Sequence, residues 1–88
     1  MIRGNTTDEV EIRKSYYESG ALMRETPYVN GKIHGLAKWY YKSGALWSEA
    51  SYVNGNRHGI EKYYEMSTLN IACLTLYVKD QEVASVKI

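Results

Sequence analysis

Apolar residues are concentrated in runs of roughly seven to nine residues, mixed there with polar ones and broken by glycine, asparagine and serine. Residues 46–53, Leu-Trp-Ser-Glu-Ala-Ser-Tyr-Val, are typical. Tyrosine, tryptophan, valine, leucine and isoleucine supply the apolar positions, and such residues suit a pleated, half-covered surface. No stretch sustains an apolar stripe at helical spacing behind a capping residue. The breaks are turn signals. Asn30-Gly31 and Asn54-Gly55 predict two-residue hairpin loops, since a type I′ turn needs positive φ at both central residues. Ser19-Gly20 and Ser43-Gly44 predict two more, with glycine taking the left-handed position. The chain therefore reads as all-β: a single-layer twisted antiparallel meander of hairpins.

The same pattern occurs twice. Residues 16–38 read YYESGALMRETPYVNGKIHGLAK and residues 40–62 read YYKSGALWSEASYVNGNRHGIEK, identical at 14 of 23 positions with an offset of 24 and no gap. A third, decayed copy starts at Tyr63-Tyr64-Glu65, lacks both turn glycines and recovers at Tyr77-Val78-Lys79-Asp80. Half a copy precedes the first, over residues 11–17. The expected organisation is one domain, 1–88, with units at about 16–39 and 40–62 and a degenerate cap at 63–88. In that cap, residues 69–78 and 83–88 predict a last hairpin around Lys79-Asp80-Gln81-Glu82, closing the array as repeat ends require. The competing reading, a short helix over residues 66–73, is opposed by β-branched Thr68 and Ile71.

A two-residue loop at Ser43-Gly44 places Tyr41 opposite Leu46, Tyr40 opposite Trp47 and Lys38 opposite Glu49. The first copy then pairs Tyr17 with Leu22, Tyr16 with Met23 and Lys14 with Glu25. Each aromatic–aliphatic or opposite-charge pair is worth roughly 0.2–1 kcal/mol. The second Asn-Gly loop pairs Val53 with Asn56, Tyr52 with Arg57 and Ala50 with Gly59. On this register one face carries Tyr17, Trp39, Tyr41, Ala50, Tyr52 and Tyr63. The other carries Tyr16, Tyr40, Trp47, Ile60 and Tyr64, interrupted by Lys14, Glu25, Lys38, Glu49 and Lys62. A bulge at any turn would exchange the faces beyond it. So few units cannot bury both faces, so one is expected to curl over a narrow core and the other to stay open.

Eighty-eight residues suffice for one domain. Eleven Lys and Arg against ten Asp and Glu leave a formal charge of +1, which argues against bulk nucleic acid or an anionic membrane as partner. Nine tyrosines, two tryptophans and no phenylalanine point to half-wet surfaces rather than a dry core. The one cysteine, Cys73, excludes a disulfide framework within the chain and is expected to pack as a small buried hydrophobe. A cytoplasmic location is the matching expectation. Residues 1–8 show no apolar leader, and residues 69–78 are too short for a membrane-spanning helix.

The stretches Tyr28-Val29-Asn30-Gly31-Lys32-Ile33-His34-Gly35 and Tyr52-Val53-Asn54-Gly55-Asn56-Arg57-His58-Gly59 resemble the hairpin signature of the MORN family. The preceding Tyr-Tyr-x-Ser-Gly-x-Leu is more similar to variant MORN repeats of the bacterial YwqK-type group, often labelled antitoxins. The resemblance covers residues 16–64. It implies a β-hairpin repeat fold and a module that binds proteins or, in some members, membranes, with no chemistry in the repeats themselves. It also implies that the third copy, without its glycines, is a cap.

Candidate chemistry is sparse. His34 and His58 occupy equivalent places before Gly35 and Gly59, but with Cys73 they make no recognised metal spacing, and a structural hydrogen bond is expected of each. Glu25 and Glu49 should lie about 10 Å apart across the sheet, beyond the usual span of a glycosidase pair, and opposite lysines they read as cross-strand ion pairs. No nucleophile–base pair or phosphate loop is present, and no enzyme, cofactor or metal is expected. The set expected to bind a partner is Tyr16, Tyr40, Trp47 and Tyr64, with Lys38 and Glu49 among them: residue types common at interface hot spots. The function expected is a non-catalytic protein-binding module that neutralises or masks a partner, as an antitoxin or immunity protein does, or as a phage-coded inhibitor of a bacterial defence nuclease does. The alternative is a self-assembling scaffold pairing through its edge strands, with phospholipid binding less favoured.

Overall fold

A computed structural model describes residues 9–66 and 70–88. The expectation of no apolar leader concerns residues 1–8 and lies outside the described residues. The described chain forms β1 (Val10–Tyr16), β2 (Leu22–Val29), β3 (Lys32–Ile33), β4 (Gly35–Tyr40), β5 (Leu46–Val53), β6 (Asn56–Tyr64), β7 (Ile71–Val78) and β8 (Gln81–Lys87). All join one antiparallel sheet in the order β1-β2-β4-β5-β6-β7-β8, with β3 pairing β2 as the first part of the strand that β4 continues. The single-layer meander read from the sequence is thus the observed fold. Residues 67–69 of the helical alternative lie outside the described residues, and from Ile71 onward the chain is strand.

The slab measures 50 × 36 × 17 Å, too thin for a second layer. Among the described residues Ala37, Ala50 and Pro27 are buried apolar residues and Thr26, Ser48 and Thr75 buried polar ones, and no large side chain is fully buried. Ala37, Ala50, Glu61, Thr75 and Ser85 stand directly opposite one another across five strands. Ala37, Ala50 and Thr75 of this row are buried and belong to the narrow core, while Glu61 is half-buried and Ser85 exposed.

Hydrogen bonds between successive units carry what a core would. Tyr17 donates its hydroxyl to the backbone carbonyl of Tyr40, and Tyr41 does the same to Tyr64 at 2.8 Å. At the opposite end of each hairpin, His34 Nδ1 accepts the backbone N–H of Asn54 at 3.2 Å and His58 Nδ1 that of Lys79 at 3.3 Å. Beside these, Gly55 N–H donates to the carbonyl of Ile33 and Asp80 N–H to that of Arg57, both at 2.8 Å. The histidines therefore tie each unit to the turn of the next rather than closing their own.

The expected two-residue Ser-Gly loops are three residues long. Gly44 N–H bonds to the Tyr41 carbonyl and Tyr41 N–H to the Ala45 carbonyl, leaving Lys42-Ser43-Gly44 as the loop; Glu18-Ser19-Gly20 repeats this. Such a loop ends with glycine at positive φ, here +96° for both Gly20 and Gly44. The added loop residue is offset by a bulge, because Tyr40 faces Leu46 while Trp39 faces Ser48, so Trp47 is the extra residue. Beyond it the register returns to the expected one, and Lys38 faces Glu49. The pairing of Tyr40 with Trp47 is not formed, nor is that of Tyr16 with Met23. There the bulge falls between Leu22 and Arg24, and in the third unit between Ile71 and Cys73.

The Asn-Gly loops are as expected, with Tyr52 facing Arg57 and Val53 facing Asn56. Ala50, however, faces Glu61 rather than Gly59, so three residues, His58-Gly59-Ile60, stand against Ser51. Gly59 reaches φ +114°, and a Cβ there would lie 3.2 Å from Ser51 Cβ. In the first unit Pro27 occupies the place of Ser51. Proline lacks an N–H and is tolerated at such a bulge, where its carbonyl accepts the N–H of His34.

The third unit keeps the two-residue turn without glycine, and its bulge is a single extra residue, Val83. Its turn is Lys79-Asp80 alone, at φ +49° and +69°, where the earlier units have Asn-Gly. Positive φ is costly for lysine, and three contacts hold it: the His58 bond, Asp80 Oδ1 accepting Arg57 N–H at 2.7 Å, and the Arg57–Asp80 ion pair at 3.6 Å.

Replacing Tyr41 with Phe or His58 with Ala removes one inter-unit bond each, and each change should cost about 1 kcal/mol in urea denaturation. Gly59→Ala combines the left-handed backbone with the Ser51 contact and should cost roughly 1–3 kcal/mol by the same measurement.

Candidate functional site

The bulge decides which face Trp47 joins. Its ring meets Trp39 edge-on at 6.3 Å and 88°, Tyr41 at 6.1 Å and Tyr63 at 6.0 Å. Trp47 therefore sits on the same face as Trp39, Tyr52 and Tyr63, here called the front, and not with Tyr40 and Tyr64 as the uninterrupted register required. In a bulge two successive residues share one partner, and the second of them, Ser48, already points to the front.

Guanidinium groups cover much of the front's remaining aromatic surface. Arg13 lies 3.9 Å over the Tyr28 ring, Arg24 4.9 Å over Trp39 and Arg57 4.1 Å over Tyr77. Such contacts are worth about 0.5–1 kcal/mol at exposed sites. Between the two aromatic rows lies a recess of about 220 Å³ lined by Trp39, Trp47, Ser48, Tyr52, Glu61 and Tyr63. Tyr63 is pushed up from the usual phenol value first by burial, then by the charge and hydrogen bonding of Glu61. Tyr52 is raised mainly by burial, with the nearby Arg57 charge opposing.

On the back, Lys14, Glu25, Lys38, Glu49 and Lys62 face one another in turn across five strands. This alternating row sets both expected Lys–Glu pairs opposite each other, but neither closes to an ion pair; the ion pairs among the described residues are Arg13–Glu11 and Arg57–Asp80. Two expected site residues are anchored to it: Tyr40 donates its hydroxyl to Glu25 at 3.3 Å and Tyr64 to Glu49 at 2.9 Å. Tyr16 is the equivalent residue of the first unit and is 57% exposed on the edge strand β1. Leu36 and Ile60 are exposed on the same face. The structure thus brings Tyr40, Tyr64, Lys38 and Glu49 together, leaves Tyr16 at the edge, and places Trp47, 40% exposed, on the opposite face.

Cys73 is half-buried, with its Sγ 3.9 Å from Thr75 Oγ1 and 3.8 Å from Ser85 Oγ. It packs in a small polar knot rather than in an apolar core. Among the described residues no three of His, Cys, Asp and Glu are grouped to hold a metal ion, and no helix is long and apolar enough to cross a membrane.

Ser48, Glu61 and Tyr63 were outside the expected site. The signal that marks them is the difference between the repeats: where the first unit has Arg24 and Ala37, the second has Ser48 and Glu61. Tyr40 and Tyr64 are both raised above the usual phenol range, first by burial and then through their glutamates. A phenol raised on folding stabilises the fold fully below its unfolded pKa of about 10, and that contribution is lost as pH rises through the folded value. Stability in denaturant should therefore fall above about pH 10. Glu49→Gln should bring the Tyr64 transition back toward the ordinary value in an absorbance titration of tyrosinate.

A family profile described as MORN repeat variant matches residues 12–30 and 33–54, a little under half of the chain. Compared with curated proteins, and with solved structures, the chain gives no match.

Proposed function

We propose that this MORN-repeat protein is a non-catalytic binding module that acts by covering a partner protein. The match to MORN repeats, which often bind proteins or membranes, supports the general class. The observation that carries the protein reading is the front face, where Trp39, Tyr41, Trp47 and Tyr63 touch ring to ring around a recess on a slab with almost no enclosed core. Aromatic clusters with an arginine rim are what interface centres use. A net charge of +1 and the interleaved lysines and glutamates favour a protein over an anionic lipid surface. Acting alone, such a chain works by steric neutralisation, the mode of an antitoxin or immunity protein, or of a phage-coded inhibitor of a defence nuclease.

A second reading rests on the sheet edges. Strands β1 and β8 end the sheet and are exposed along nearly their whole length, with unpaired backbone groups that a second copy could extend.

The products of genes adjacent to the coding sequence are the partners to test, using purified proteins and the full chain. A central aromatic anchor contributes about 2 kcal/mol or more, so Trp47→Ala should weaken binding at least roughly thirtyfold while Tyr16→Ala changes it little. Equal affinity for wild type and Trp47→Ala would remove the front face from the reading. Light scattering at several concentrations decides the second reading, which requires mass to rise with concentration.

A further inference from the structure

The two repeats act as each other's control. In the first, Arg24 stands opposite Trp39 and lays its guanidinium over that ring. A shift of 24 residues turns Arg24 into Ser48 and Trp39 into Tyr63, and these again stand opposite each other. Ser48 is buried and carries no charge. The same shift turns Met23 into Trp47 and Ala37 into Glu61. At the place where the first unit supplies its own cation, the second unit therefore has a short hydroxyl side chain, one more aromatic ring and one carboxylate. The recess of about 220 Å³ lined by Trp39, Trp47, Tyr52, Tyr63, Ser48 and Glu61 is the result.

We infer that this recess receives the guanidinium of an arginine on the partner protein, which stacks on the rings as Arg24 stacks on Trp39 and is neutralised by Glu61. The size fits, since a guanidinium with its last methylenes is much smaller than the recess. The planar cation is attracted to the face of a ring, and rings that meet at 60° to 88° turn their faces in different directions around the recess. Arg57, beside the recess, is engaged with Tyr77 at 4.1 Å and Asp80 at 3.6 Å; its charge also acts on Glu61 without closing an ion pair there, so an incoming arginine shares that carboxylate with it. The inference rests on the protein-binding reading and names the chemistry that reading leaves open.

Trp39 and Trp47 are the only two tryptophans, and both line the recess, so tryptophan fluorescence of the full chain reports on it directly. The probe is a short peptide carrying one arginine between uncharged residues; the control replaces arginine with its neutral isostere citrulline. The arginine peptide should give a saturable change, with the citrulline peptide at least about tenfold weaker, since stacking and charge together contribute more than 1.4 kcal/mol. Glu61→Gln should weaken the arginine peptide by about tenfold. Ser48→Arg rebuilds the arrangement of the first unit and should abolish the response. Should that variant not fold by circular dichroism, Glu61→Gln decides alone. Equal responses to both peptides, an unchanged response in Glu61→Gln or folded Ser48→Arg, or a response to tetramethylammonium without one to arginine would each overturn the inference. A partner bound through Trp47 but indifferent to Ser48→Arg would overturn it while leaving the protein-binding reading intact.

Discussion

The interaction on which the rest depends is the tie between one hairpin unit and the next. A sheet 17 Å thick cannot bury large side chains, and the described residues bury little beyond two alanines, a proline and three short polar side chains. Area-based hydrophobic stabilisation is correspondingly small. What fixes the units is a clasp at each end: a tyrosine hydroxyl on a backbone carbonyl at the Ser-Gly loops, and a histidine Nδ1 on a backbone N–H at the two-residue turns. Each bond is modest in net free energy, yet both occur twice at equivalent places and both span units. An array held this way resembles a solenoid, where stability is a sum over nearest neighbours. It leaves both faces free for other uses, because neither must be dry for the fold to hold.

The clasps also account for the third unit. Its turn has lysine and aspartate at positive φ, which a lone hairpin would disfavour. His58 and Arg57 grip both residues of that turn from the preceding unit. Loss of the glycines therefore marks a turn held by its neighbour rather than a turn that has gone.

Much of this was legible in the sequence, and the remainder shows where local reading stops. The period of 24, the Asn-Gly turns, the meander and the Lys–Glu oppositions follow from the internal repeat and turn chemistry. The length of the Ser-Gly loops does not, since serine-glycine suits a two-residue loop and also the end of a three-residue one. One loop residue changes the parity, and the bulge at Trp47 changes it back. The charge pairs beyond the bulge survived both errors, because the two shifts cancel, whereas the residue in the bulge landed on the wrong face. The place of the histidines in the repeat marks them as structural but not as bridges, because their partners lie 20 and 21 residues away in another unit.

Function is most legible where the repeats disagree. Positions that agree, such as the tyrosine pair, the histidine and the glycines, are used by the clasps and bulges that every unit needs. Outside the bulges, where Met23 stands for Trp47 and Pro27 for Ser51, positions that differ are free of that demand. In the first unit arginine over tryptophan is a closed arrangement, with the cation and the ring from one chain. In the second, a serine at the arginine's place and a glutamate beside it turn the same scaffold into a recess with aromatic walls and an acid. Glu61 is hydrogen-bonded to the Tyr63 and Tyr77 phenols and lies within reach of the Arg57 charge, so it ties the walls of the recess together and also presents an acid to whatever enters it.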